Sequence, residues 1–210
     1  MSEAPVLEGQ LSELAKSLEA ALGASVTGTR LAVGELTVLA ARADIIAVLR
    51  HLKDIEGFTT LVDICGVDFP SRPERFEVVY HLLSMTRNLR VRVKLSVGED
   101  VAVPSACAIW PGADWFEREA FDMYGILFEG HPDLRRLLTD YGFTGYPLRK
   151  DFPLTGYVEV RYDPERGQVV YEPVKLTQDF RNFDFLSPWE AMTTRPGDEK
   201  VPPRKQGGAP

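Results

Sequence analysis

Residues 89–97 alternate without a break: Leu89, Val91, Val93, Leu95 and Val97 are apolar, while Arg90, Arg92 and Lys94 are charged. A period of two specifies a strand with one dry face and one wet face. Residues 76–83 repeat the pattern, with Phe76, Val78, Tyr80 and Leu82 facing one way and Glu77 and His81 the other. The two runs predict neighbouring strands, with the basic row of the second answered by Glu77 across the hairpin. Residues 59–67, β-branched and mostly apolar, predict a central strand beside them. A sheet that is apolar on one face must be covered on that face.

The N-terminal third supplies the cover. Leu7, Leu11, Leu14, Leu18 and Leu22 recur at helical spacing, and Gly23 follows as a stop. Residues 25–33 and 35–40, joined at Gly34, read as a small hairpin. Asp44 is placed to cap a second helix with the stripe Ile45, Val48, Leu49 and Leu52. The order predicts an α+β fold: a small mixed β-sheet with helices on one face, followed by an extended C-terminal arm. The expected division is an α+β domain over residues 1–125, an aromatic-rich arm over 126–192 and a loose tail over 193–210. Disordered segments are poor in aromatics, so an arm holding Phe180, Phe183, Phe185 and Trp189 is expected to bury them on another surface.

Composition excludes several function classes. The net charge of −7 is wrong for a phosphate-backbone partner. Cys65 and Cys107 are far apart and outside any CxxC pair, and His51, His81 and His131 lie in unrelated segments. Four thiolates for an iron–sulfur cluster, or four Cys/His ligands for a structural zinc, are not available. The expectation is therefore no metal on this chain. The longest uncharged run, residues 101–113, is broken by Pro104 and Pro111, and no run approaches a membrane span.

The segment 114–125 is unusual. Asp114 and Glu117 are spaced as a capping box, and Gly125 is placed to end a helix. On the wheel Trp115, Phe116, Glu119 and Met123 share one side, and Glu117, Ala120, Phe121 and Tyr124 the other. Arg118 and Asp122 are spaced to pair at i,i+4. No broad polar face remains, which marks a helix enclosed by neighbours, either of its own chain or of another. Glu117 and Glu119 could be an acid/base pair, but residues two apart on a helix diverge by about 160° and cannot flank one bond. Gly130, His131, Pro132 and Asp133 read as a turn opening a short helix, with Leu134, Leu137 and Leu138 as its apolar side. Pro147 and Pro153 bracket an extended stretch presenting Arg149 and Lys150.

Three runs carry a resemblance: Glu117-Arg118-Glu119-Ala120-Phe121-Asp122-Met123-Tyr124-Gly125, Gly130-His131-Pro132-Asp133-Leu134-Arg135-Arg136-Leu137-Leu138, and Pro147-Leu148-Arg149-Lys150-Asp151-Phe152-Pro153. Together they closely resemble the C, or thirty-kilodalton-type, subunit of NADH–quinone oxidoreductase, respiratory complex I. Residues 171–190 resemble the C-terminal arm of its bacterial and mitochondrial members. One departure is Tyr146, where the family's GHPLRK form has His.

The resemblance implies a non-catalytic, cofactor-free structural subunit of the peripheral arm. FMN, iron–sulfur clusters and quinone would sit on partner subunits, and this chain would hold the quinone-site and iron–sulfur subunits in register. It implies a peripheral location on the cytoplasmic side of the bacterial inner membrane, or on the matrix side in a mitochondrial counterpart, reached only through partners. Expected partner-contacting residues are Glu117, Arg118, Glu119, Asp122, His131, Asp133, Arg135, Arg136, Arg149, Lys150, Asp151, Phe183 and Trp189. The alternatives are the homologous subunit of a membrane-bound hydrogenase and a stand-alone carboxylate-based enzyme.

Overall fold

In the computed structural model residues 4–178 and 180 are described, and the chain divides after Tyr157 into two units, Met1–Tyr157 and Val158–Pro210. The first unit opens with α1 (Ala4–Leu22) and a hairpin of β1 (Val26–Ala32) and β2 (Glu35–Ala40). There follow α2 (Ile45–Asp54) and a meander of β3 (Thr60–Asp68), β4 (Phe76–Ser84) and β5 (Leu89–Val97). The short β6 (Val103–Pro104) and β7 (Phe128–Glu129) flank α3 (Ala113–Tyr124). The second unit contains one antiparallel ribbon, β8 (Val158–Asp163) with β9 (Gln168–Pro173).

The sheet is mixed and five-stranded, in the order β1-β2-β5-β4-β3. Only β2 and β5 run parallel, Leu36 opposite Val91 and Val38 opposite Val93. The alternation behaves as read: Phe76, Val78, Tyr80, Leu82, Leu89, Val91, Val93, Leu95 and Val97 are all buried. They share one core with Leu11, Leu14 and Leu18 of α1, with Ile45, Val48, Leu49 and Leu52 of α2, and with Ala113 and Ala120 of α3. Burying such side chains supplies about 1.5–3 kcal/mol each. On the opposite face Lys94 reaches Glu77 at 2.6 Å, as the sequence pairs them.

Two expectations are corrected. The strand expected at the centre, β3, lies at the edge of the sheet; it is apolar because α3 packs beside it. Gly66 of β3 is where they meet, since a Cβ there would stand 2.7 Å from the Tyr124 ring. Asp44 stands at the N-cap position of α2, but its carboxylate makes no cap bond. The first unit runs to Tyr157.

The β1–β2 turn holds two consecutive left-handed residues, Val33 at φ 55° and Gly34 at φ 70°. That is the conformation of a tight hairpin turn, in which Asn and Gly are at ease and a β-branched residue is strained. Val33 is fully exposed, so its side chain contributes no packing to offset the strain. Val33→Asn is expected to raise stability by about 1 kcal/mol; urea midpoints no higher than wild type would refute the assignment of strain.

Candidate functional site

The charged residues singled out in the sequence converge on α3. Its N-cap is Gly112, not Asp114, which lies inside the first turn. Gly125 ends the helix in the left-handed region at φ 78°, its N–H bonding Phe121 O at 2.8 Å. A Cβ at Gly125 would lie 2.7 Å from both Arg149 and Tyr146, so the chain can return over this helix end only because the residue is glycine.

Asp122 is fully buried. Its Oδ2 accepts the backbone N–H groups of Leu137 (3.0 Å), Leu138 (2.7 Å) and Thr139 (2.9 Å). Its Oδ1 accepts the Thr139 hydroxyl at 2.7 Å and Arg136 Nη1 at 3.1 Å. Burial alone would raise this carboxyl, but the Thr139 hydroxyl and the three backbone donors outweigh it and hold the pKa at about 2. Arg118, one turn earlier, does not pair with Asp122; it donates to the carbonyls of Arg135 and Arg136 at 3.2 and 3.4 Å. These contacts explain why residues 131–138 form no helix. The N–H and C=O groups that a helix would satisfy internally are taken by side chains of α3.

A second node ties the next turns to the sheet. Buried Asp68 at the end of β3 takes Arg75 in a two-pronged pair, 2.7 and 2.9 Å, and the backbone N–H of Lys150 at 2.7 Å. The Arg75 hydrogen bonds hold the Asp68 carboxyl below its ordinary range. Arg75 also meets Glu99 (2.6 Å) and Asp151 (3.0 Å). Arg149 donates from Nε to Tyr124 O at 2.6 Å. Residues 147–153, expected extended, instead coil in successive turns, with Arg149 N bonding Tyr146 O and Phe152 N bonding Arg149 O. The guanidinium groups of Arg136 and Arg149 lie over the Tyr146 ring at 5.1 and 4.5 Å. A neutral aromatic ring suits two cations, which accounts for tyrosine at this position.

The third cluster surrounds Glu117, also fully buried. Its Oε1 accepts Ala106 N–H at 2.7 Å; its Oε2 accepts Ser105 Oγ at 2.6 Å and Cys107 Sγ at 3.5 Å. His131 Nε2 stands 4.0 Å away. Burial raises the Glu117 pKa, against the lowering effect of Ser105, Ala106, Cys107 and His131. His131 accepts Asp133 N–H on Nδ1 at 3.0 Å, so its proton is on Nε2, directed at Asp114 O at 3.3 Å. Asp114 Oδ1 is closer, 3.1 Å from Nε2, but outside hydrogen-bond geometry, and it is buried without a hydrogen bond.

The expected contact residues thus fall into two sets. Glu117, Arg118 and Asp122 are buried and bonded within the chain, and Arg136 and Arg149 are largely so. Glu119, Asp133, Arg135, Lys150 and Asp151 are exposed, with Trp115 beside them on α3 at 58% exposure. Glu117 and Glu119 therefore do not share a site. Phe183 and Trp189 lie outside the described residues. Sequence reasoning missed Ser105, Asp68, Arg75 and Thr139, whose roles arise from long-range contacts without a local spacing.

The family model described as "Respiratory-chain NADH dehydrogenase, 30 Kd subunit" matches residues 38–158. The chain belongs to this family. It is 64% identical over 197 residues to the C subunit, copy 1, of NADH-quinone oxidoreductase from Rhizobium meliloti (strain 1021), covering 92% of this chain and 98% of that one. With the corresponding C subunit of Hyphomonas neptunium it shares 62% identity over 194 residues, 91% and 96% of the two chains. Among solved structures, a chain of the membrane-bound sulfane sulfur reductase (MBS), an archaeal respiratory membrane complex, superimposes with a TM-score of 0.61 at 26% identity. That match covers 69% of this chain and 86% of the other. The family match takes in α3 and both nodes, one on the helix and one at the end of the sheet, that fix the turns after it.

The two buried carboxylates of α3 are expected to respond oppositely to neutralisation. The pKa of Asp122 falls from 3.8 to about 2 on folding, so its stabilising contribution is complete above about pH 4 and lost as pH falls through 2. Asp122→Asn is expected to cost about 3 kcal/mol at pH 7, a deficit that closes as the wild type is titrated toward pH 2. The pKa of Glu117 rises on folding, so its contribution is complete below the ordinary 4.5 and declines as pH rises through the folded value. With a chelator present, Glu117→Gln should be at least as stable as wild type at pH 8. Denaturation midpoints across pH decide both; equal losses for the two variants at pH 7 would sink the distinction.

Proposed function

We propose that this chain is a structural subunit of the peripheral arm of NADH–quinone oxidoreductase, holding the quinone-site and iron–sulfur subunits in register. FMN, clusters and quinone belong to those partners; this chain carries no electron-transfer cofactor and no catalytic residue. The observation that carries the proposal is the end-to-end identity with relatives named as the C subunit of that enzyme, 64% over nearly the whole of both chains. The geometry supports it. The buried charges of α3 are bonded within the chain and fix its own path, which leaves Trp115, Glu119, Asp133, Arg135, Lys150 and Asp151 as the residues facing a partner.

The ribbon adds a second partner surface. Its register puts Val158 opposite Pro173, Val160 opposite Tyr171 and Tyr162 opposite Val169, so these six side chains share one face. An isolated two-stranded ribbon is marginal in water, and one with a single apolar face gains its stability by covering that face. Among the described residues no helix is long and apolar enough to cross a membrane. Association with the membrane, on its cytoplasmic side in a bacterium, is through the partners.

A subunit of a related membrane-bound hydrogenase or reductase is the second reading, favoured by the shared fold with the sulfane sulfur reductase chain. The 26% identity there, against 64% to the relative from Rhizobium meliloti, makes it the weaker one. Fractionation of detergent-solubilised membranes separates the two. The chain is expected to migrate with NADH:quinone reductase activity, and the isolated chain to lack flavin and cluster absorption. Migration as a free monomer, or with a hydrogenase, would overturn the proposal. Within the complex, Trp115→Ala is expected to weaken retention of the chain by about 2 kcal/mol, against about 0.5–1 kcal/mol in the unfolding of the isolated chain from its lost contact with Arg118; normal retention in salt washes would remove Trp115 from the interface.

A further inference from the structure

The geometry points to a site for one divalent transition-metal ion of the zinc type, bound by Cys107, Glu117 and His131, with Asp114 or water completing the coordination. The ligands come from three segments: the loop after β6, helix α3 and the turn after β7. Cys107 Sγ, a Glu117 carboxylate oxygen and His131 Nε2 all lie within 4.8 Å of one another. Sγ to Oε2 is 3.5 Å and Nε2 to Oε2 is 4.0 Å. Bonds of roughly 2.0–2.3 Å in a tetrahedron separate the ligand atoms by roughly 3.3–3.8 Å, so side-chain shifts of no more than about an ångström bring this set onto an ion.

Charge and unmet polar atoms agree with the spacing. Glu117 is fully buried, yet the groups bonded to it are the neutral Ser105 hydroxyl, Ala106 N–H and Cys107 thiol. His131 makes no hydrogen bond to Glu117, Nε2 standing 4.0 Å away while Nδ1 accepts the Asp133 N–H. The nearest guanidinium on the helix, that of Arg118, is turned to the carbonyls of residues 135 and 136. A buried carboxylate surrounded by neutral groups is short of a cation. Two buried oxygens there have no hydrogen-bond partner: Asp114 Oδ1, 3.1 Å from His131 Nε2, and the hydroxyl of Tyr80, which feels the charges of Glu117 and Cys107. An ion would engage the first and relieve the electrostatics around the second.

Binding has a defined proton balance. The Cys107 thiol, pushed up to about 11 chiefly by burial, releases its proton when it becomes a ligand thiolate. The His131 ring proton moves from Nε2 to Nδ1, and the Asp133 N–H turns from the ring to water. Asp133 is exposed, so that exchange is a minor cost. Affinity should therefore rise with pH.

Cobalt(II) titrated into the full-length, chelator-dialysed chain tests the site. One equivalent is expected to give a thiolate-to-cobalt charge-transfer band with tetrahedral visible bands, both abolished by one equivalent of zinc. Cys107→Ser should remove the charge-transfer band and weaken zinc binding roughly 100-fold, while Cys65→Ser leaves both intact. Absence of the band at stoichiometric cobalt, or its persistence in Cys107→Ser, overturns the proposal. If Cys107→Ser fails to fold by circular dichroism, zinc-edge X-ray absorption on the wild-type chain decides: one sulfur at roughly 2.3 Å among nitrogen and oxygen neighbours supports the site, and a shell without sulfur refutes it.

Discussion

Asp122 and Arg118 work as a pair without touching each other. One collects backbone N–H groups from residues 137–139 and the other collects carbonyls from 135 and 136. Between them they fix a stretch that has little apolar core of its own: Leu138 is exposed, and Leu134 and Leu137 are only half-buried. Charge-assisted hydrogen bonds of this kind are roughly twice as strong as neutral ones, and both side chains are themselves held on a helix anchored in the main core by Ala113 and Ala120, with Ile126 just beyond its end. The path of the chain after α3 therefore depends on two polar residues seated in an apolar frame.

The same economy of contact repeats at Asp68 and Arg75, where the end of the sheet meets Lys150 and Asp151. Each node binds a carboxylate to main-chain donors and to an arginine, so neither leaves an unpaired buried charge. Glu117 is the exception, buried among neutral donors. Because the internal nodes draw in Arg136 and Arg149, the exposed part of the motif is narrower than the motif as a whole: a tryptophan, a glutamate and the charged turns around it.

How much of this is legible in the sequence follows from the range of the forces. β4, β5 and α2 are readable because their periodicity is local and one face of each is simply dry. The left-handed Gly125 is readable for the same reason. The short helix expected after His131 rests on Pro132 and the leucine spacing, and it fails because Asp122 and Arg118 compete for its backbone from another element. The ribbon has a local signal too, since Val158, Val160 and Tyr162 alternate, as do Val169 and Tyr171; the prolines and aromatics around it suggest an irregular arm and mask that signal. The meeting of Cys107, Glu117 and His131 cannot be read from spacing, since three segments deliver one residue each.

Asp122 grips residues 137 and 138 by their main chain alone, and Thr139 by both its N–H and its hydroxyl. At positions 137 and 138 its hold is therefore indifferent to the side chain, provided each residue has an N–H to offer. The leucines there are free to drift toward other side chains in other members of the family without altering the course of the backbone. Proline is the one replacement that would cut a strand of the tether, because it alone lacks the donor.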